Sequence, residues 1–287
     1  METYTHYGKQ PDVLKHLLLC EALQIECPQI YIETNSASAI YEMTHTPEQE
    51  YGIYHFLDAA INDSELKDSC YYELERKAIN KGCYLGSPGL ALNILGNEVQ
   101  KYVFYDKDNG ALENIAQYAQ SHNITKYDTY NCDSIEEVLN ILPSLPLSTF
   151  LHIDPYEIDK QNSNGHTYLD ILIKATQLGL KCLLWYGYMN FEDKLKINSY
   201  LVESLYQAEI KNYICVELIM NLIEQKTIPD NPGVLGSGIL ATNLSPQVHE
   251  VILNYSKRLT DIYKNVSYKE NDGSVYLDTI GCNLLVK

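Results

Sequence analysis

Four acids stand at or just past the ends of segments that read as successive strands: Glu33, Asp106, Asp133 and Asp154. In open α/β sheets, ligands bind beyond the carboxyl ends of the strands. An acid at the end of a second strand can accept both hydroxyls of a ribose. An Asp after the third strand can meet an adenine amino group, and an acid ending the fourth can meet a substrate. Any one of them can equally be a helix cap, because Asp is common just before a helix. The four together favour a nucleoside-type site.

The sharpest local feature is Ile153-Asp154-Pro155-Tyr156. An Asp-Pro-aromatic step after a buried strand fixes the backbone, presents a carboxylate and a carbonyl, and offers a ring for stacking. That combination can grip a planar amine, although Asp-Pro also opens ordinary turns. Cys132, beside Asp133, reads as a buried structural thiol rather than a nucleophile. His152 lies inside its strand and reads as a core histidine. Trp185-Tyr186-Gly187-Tyr188 can be core or a pocket wall. No glycine-rich phosphate loop follows the first strand, where the chain runs Glu33-Thr34-Asn35-Ser36-Ala37-Ser38-Ala39. Gly is the usual residue where backbone must approach a ligand closely or take φ > 0.

The elements that must position these residues alternate. A helix is expected after Pro11, with Asp12 near its start. Strands are expected at 29–33, 101–106, 127–131, 148–154, 180–186, 213–219, 238–243 and 275–286. Helices are expected at 87–96, 110–121, 134–142, 167–178, 191–208 and 246–264, and a mixed helical stretch at about 47–82. Strands alternating with helices of this length predict a doubly wound, mostly parallel α/β sheet.

Composition sets bounds on partners. The 287 residues carry 21 Lys and Arg against 38 Asp and Glu, a formal charge of −17. Only Arg76 and Arg258 are arginines. Unspecific, tight nucleic-acid binding needs phosphate-neutralising Lys and Arg, so this balance argues against it while leaving room for a local lysine patch. The eight cysteines form no C-x-x-C pair. They predict reduced, mostly buried thiols in a cytoplasmic protein, without a disulfide framework or zinc. No apolar run approaches the roughly 20 residues of a membrane helix.

Several segments together are familiar. They are Tyr4-x-His6 with Asp12-Val13-Leu14-Lys15-His16, Tyr84-Leu85-Gly86-Ser87-Pro88, Ile153-Asp154-Pro155-Tyr156-Glu157, Leu184-Trp185-Tyr186 and Gly236-Ser237-Gly238. On these, over nearly its whole length, the chain resembles the bacterial large-subunit (23S) rRNA adenine-N6 methyltransferase J family. The resemblance implies a Rossmann-like methyltransferase domain over 1–43 and 83–287, with a small helical subdomain inserted at 44–82. It implies S-adenosyl-L-methionine as cofactor, at His16, Asn35, Ser87, Asp106, Asp133, Ser134 and Asp154. It places Asp154 and Tyr156 at the target amine, and Tyr4 and His6 at the RNA substrate.

The departures are specific. Where the family reads T-H-A-G-A-G, this chain has Thr34-Asn35-Ser36-Ala37-Ser38-Ala39, and its D-P-P-Y segment has lost one proline. A Cβ held at φ > 0 costs about 1–2 kcal/mol. A displacement of about 1 Å at the reacting atoms can cost on the order of 100-fold in rate. Three expectations therefore stand side by side. The chain is an active monomeric methyltransferase of 23S rRNA, a degenerate relative that binds a basic protein partner, or a methyltransferase retargeted to a non-RNA substrate. A positive rim of Lys9, Lys15 and Lys107 would favour RNA, and a negative mouth the binding protein.

Overall fold

The computed structural model describes residues 7–224, 233–268 and 271–280. In chain order its main elements are α1 (Gln10–Glu26), β1 (Ile30–Glu33), α2 (Ser87–Leu95), β2 (Lys101–Asp106), α3 (Asn109–Ser121), β3 (Tyr127–Asn131), α4 (Ser134–Ile141) and β4 (Thr149–Ile153). They continue as α5 (Tyr168–Gln177), β5 (Lys181–Tyr188), α6 (Phe191–Gln207), β6 (Tyr213–Met220), β7 (Gly236–Thr242), α7 (Pro246–Tyr263) and β8 (Val275–Thr279).

The eight strands form one sheet in the order β3-β2-β1-β4-β5-β7-β6-β8. Pairing is parallel from β3 through to β5, and antiparallel where β7 meets β5 and β6 and where β8 meets β6. This is the doubly wound, mostly parallel sheet that the alternation predicts, with the Rossmann-like architecture that the resemblance implies. The chain leaves β1 toward β2 on one side and β4 lies on the other, so the strand order reverses between β1 and β4. That is where a crevice opens in such sheets.

Local chemistry explains the boundaries. Asp108, Asp133, Asn190 and Ser245 each accept a backbone amide of the helix they precede, satisfying donors that have no partner within the helix. Helix α1 starts with Pro11 in its first turn and is apolar on nearly all sides, with Val13, Leu14, Leu17, Leu18, Leu19 and Leu23 fully buried. Such a helix must be covered all round. It lies between the sheet and helices α2, α7 and Cys70–Ile79.

Residues 47–79 are helical in short pieces, Pro47–Gln49, Glu50–Tyr54, His55–Ala60, Ser64–Lys67 and Cys70–Ile79. They leave and rejoin the main chain through a two-stranded antiparallel pair, Ile40–Glu42 with Cys83–Leu85. The final strand stops at Thr279; the expected extension to 286 runs into residues outside those described. The cysteine expectation needs correcting. All seven described cysteines are free, but only Cys20, Cys182 and Cys215 are buried. Cys132 is half-buried because its strand lies at the sheet edge. Among the described residues no helix is long and apolar enough to cross a membrane.

Candidate functional site

A cavity of about 1250 Å³ opens at the carboxyl ends of β1, β2 and β4. It lies at the reversal of strand order. Six of the expected site residues line it: His16, Asn35, Ser87, Asp106, Asp154 and Tyr156. Tyr4 and His6 lie outside the described residues. Asp133 and Ser134 are not among the lining residues. Asp133 caps α4 through Ile135 N at 3.1 Å and takes Lys107 Nζ at 2.7 Å. Burial pushes its carboxyl up, but Lys107 and the Ile135 amide more than offset this and hold it below the usual carboxylate value. Ser134 is buried, 3.5 Å from Tyr168 Oη.

The loop after β1 folds back on the protein. Ser36 N and Oγ both donate to the Tyr105 carbonyl at 2.9 Å. Ala37 sits at φ +52°, at the position of the first glycine in the resembling motif. The left-handed conformation is thus kept with a Cβ in place. Ala37 N donates to one oxygen of Asp106 at 2.8 Å, and Asp108 N to the other at 2.8 Å. Two amides aim this carboxylate and leave lone pairs for further donors. The close approach expected of a glycine occurs on the far side of the loop. A Cβ on Gly86 would stand 2.0 Å from the Ser38 carbonyl, and one on Gly89 2.1 Å from the Ala39 carbonyl. The Gly86-Ser87-Pro88-Gly89 segment is therefore the bed on which the loop lies.

Asp154 faces α1. Lys15 Nζ is 2.9 Å from Asp154 Oδ2, 3.6 Å from Asp12 Oδ1, and 5.0 Å from the centre of the Trp185 ring. Burial lowers the basicity of Lys15, but the two carboxylates outweigh it and hold the ammonium above its ordinary range. Burial raises Asp12 above the usual carboxylate value despite Lys15. His16 Nδ1 is 2.8 Å from Tyr84 Oη. Burial first, then Lys15 and His152, push the imidazole well below its ordinary value, so it is neutral at pH 7. Tyr156 stands at the mouth, 75% exposed. Tyr7, Tyr41 and Tyr84 form an aromatic wall, with Tyr7 stacked on Tyr41 at 4.7 Å. The Trp185–Tyr188 run divides: Trp185 walls the cavity, while Tyr186 and Tyr188 are buried outside it.

Three residues matter here in roles the sequence did not assign them. Glu33 and His152 are fully buried register partners on β1 and β4. Glu33 accepts from Tyr31 Oη at 2.9 Å, from His152 Nδ1 at 3.0 Å and from Ser87 Oγ. Ser87, expected at the cofactor, thus spends its proton on Glu33. Asp154 lies within 4.8 Å of this pair. Glu33 Oε1 and His152 Nδ1 are committed to each other and Asp154 Oδ2 to Lys15, which already supplies the positive charge. The signal for His152 was its i, i+2 spacing to Asp154, which puts both on one sheet face. Lys15, expected in a positive rim, is brought to Asp154 by the packing of α1.

The lysines form no positive rim. Lys9, Lys15 and Lys107 all line the cavity, but each is paired with acid: Glu48, Asp154 with Asp12, and Asp133. Five acids, Asp12, Asp106, Asp108, Glu113 and Asp154, face the three lysines.

No family model and no curated protein matches the chain. Among solved structures it is similar to protein LPL1258 from Legionella pneumophila str. Philadelphia 1, described as DUF519. The TM-score is 0.72 and the identity 21%, over 96% of this chain and 97% of that one. More distant likenesses are a SAM-dependent methyltransferase from Agrobacterium tumefaciens (TM-score 0.44, 9% identity, 84% and 64% covered) and an rRNA methylase from Streptococcus thermophilus (TM-score 0.42, 13% identity, 84% and 100% covered). The likeness to LPL1258 shows a shared fold along nearly the whole of both chains. By strand order the class is an α/β protein with a Rossmann-like methyltransferase sheet.

Proposed function

We propose that the chain is an S-adenosyl-L-methionine-dependent methyltransferase acting on the exocyclic N6 amine of an adenine in 23S rRNA. The observation that carries this reading is the placement of Asp154. Its carboxylate ends β4 at the reversal point, borders the cavity, and has Trp185 and Tyr156 beside it. The motifs that resemble the 23S rRNA methyltransferase family point to the same base.

The residues present suit the cofactor. Asp106 is held by two amides with lone pairs to spare, as ribose hydroxyls require. Carboxylates and aromatic faces suit a sulfonium. A volume of about 1250 Å³ exceeds that of an ordinary small-ligand pocket and admits a base as well. The bound cofactor supplies an electrophilic methyl group. Asp154 orients the amine and offsets the charge that grows on its nitrogen. The target base must leave its stack to enter, and Tyr156 is the exposed ring at the mouth on which it can stack.

Calorimetric titration with S-adenosylmethionine and S-adenosylhomocysteine tests the reading, followed by methyl transfer to 23S rRNA lacking the modification. Micromolar binding and transfer are expected. One observation favours a second reading: every lysine lining the cavity is matched by acid, which suits a basic protein partner better than naked RNA. No binding at millimolar cofactor would select that reading.

A further inference from the structure

Methyl transfer to an amine leaves a proton to dispose of. The nitrogen lone pair forms the N–CH3 bond while the S–CH3 bond breaks, its electron pair staying on sulfur. The nitrogen then carries a positive charge until one N–H proton departs. Asp154 is a hydrogen-bond acceptor with an ammonium already 2.9 Å away. It suits the task of orientation, and the proton needs a further destination.

Beneath Asp154 lies a carboxylate–imidazole pair of the kind that orients a base. His152 Nδ1 is 3.0 Å from Glu33 Oε1, and both side chains are fully buried. With Nδ1–H donated to Glu33, the lone pair is on Nε2. That atom is buried and has no hydrogen-bond partner among the described residues. Buried polar atoms are nearly always paired, so an orphan calls for an explanation. A ring nitrogen of His152, an oxygen of Glu33 and an oxygen of Asp154 lie within 4.8 Å of one another, a span that one water can bridge. The groups facing His152 are Tyr31 Oη, 3.4 Å from Nδ1, with Glu33 and Asp154 on the sheet and His16 on α1.

Building on the methyltransferase reading, we propose that His152, held by Glu33, takes the proton the methylated amine releases, passed on by Asp154. The N–H electron pair returns to nitrogen, and the proton becomes the second N–H of an imidazolium paired with Glu33. It leaves to solvent as product is released. His152 and Glu33 touch neither methyl donor nor amine. They act through Asp154 as positioning residues.

The test compares wild type, His152→Asn and Glu33→Gln in steady-state methyl transfer to unmodified 23S rRNA between about pH 5 and 9, spanning the ordinary histidine range. S-adenosylhomocysteine affinity and thermal unfolding are measured alongside. Both variants should lose at least about 100-fold in kcat, the low end of general acid–base contributions. Their KM and cofactor affinity should stay within about twofold of wild type, well under the tenfold that 1.4 kcal/mol represents, and the acidic limb of kcat should shift or vanish. Unchanged kcat and an unchanged limb overturn the assignment. So does loss of cofactor affinity and folding in step with kcat, which marks a structural pair. Wild type that neither binds S-adenosylhomocysteine nor transfers methyl defeats the methyltransferase reading itself, and the assignment with it.

Discussion

Lys15 and Asp154, 139 positions apart in sequence, form an ion pair 2.9 Å long at the base of the cavity. The two side chains are each 11% exposed, and Asp12 stands 3.6 Å from the same ammonium. The acid that the sequence marks for chemistry is therefore also structural. Asp154→Ala is expected to abolish methyl transfer. It should also cost about 3 kcal/mol of stability, the lower end for breaking a buried pair, because Asp12 remains as a partner. Asp154→Asn should recover much of that stability and little activity. Urea denaturation beside the transfer assay separates the two effects, and full activity in Asp154→Ala would sink the assignment.

Ala37 offers a test in the opposite direction. At φ +52° its Cβ is strained by about 1–2 kcal/mol. Ala37→Gly removes that strain and gives back about 0.4–1 kcal/mol through the looser unfolded chain. A net gain of about 0.5–1 kcal/mol is expected from the difference of these terms, read as a higher denaturation midpoint. Tighter S-adenosylhomocysteine binding should accompany it if the loop contacts the cofactor.

Gly86 should tolerate no side chain. A Cβ there meets the Ser38 carbonyl at 2.0 Å, and backbone cannot swing aside as a flexible side chain can. Gly86→Ala is expected to cost about 1–3 kcal/mol, the usual range for overpacking. It should also displace the loop that holds Asp106, so cofactor affinity falls with stability. Thermal unfolding and calorimetry measure both.

His16 predicts a pH dependence with a definite sign. Its folded pKa is depressed, chiefly by burial. The unfolded chain therefore takes up a proton near pH 6.5 that the folded chain refuses. The stability this contributes is full above that value and is lost as pH falls toward the folded pKa. Buried carboxylates with raised values, such as Glu75, tilt the absolute curve the other way. The difference between wild type and His16→Asn cancels them. That difference should change by up to about 1.4 kcal/mol per pH unit below pH 6.5, and a flat difference between pH 5 and 7 would refute the buried neutral imidazole.

The strands and helices were legible because burial imposes periodicity on local sequence. Lys101–Asp106 and Tyr127–Asn131 form at the positions expected of them, and Pro11, Asp108, Asp133 and Ser245 mark helix starts. The tyrosine excess was visible, but not its use. Among the described residues six tyrosines are fully buried, Tyr31, Tyr71, Tyr84, Tyr102, Tyr186 and Tyr263, and each hydroxyl finds a partner, from Glu33 to the Gly52 carbonyl. A buried phenol needs such a partner, and the partners come from distant segments.

What sequence alone determined is the set of acids at strand ends, because a strand's end is a local event. Which of them share a cavity was decided by the order of the strands in the sheet. Asp106 and Asp154 face it because β2 and β4 flank β1, while Asp133, one strand further out, turns to its own helix and Lys107. The pairing of Glu33 with His152 depends on β1 and β4 meeting in one register, and the hold of Lys15 on Asp154 on a mostly apolar helix packing against the sheet. Both are long-range contacts fixed by burial, and no local pattern encodes them.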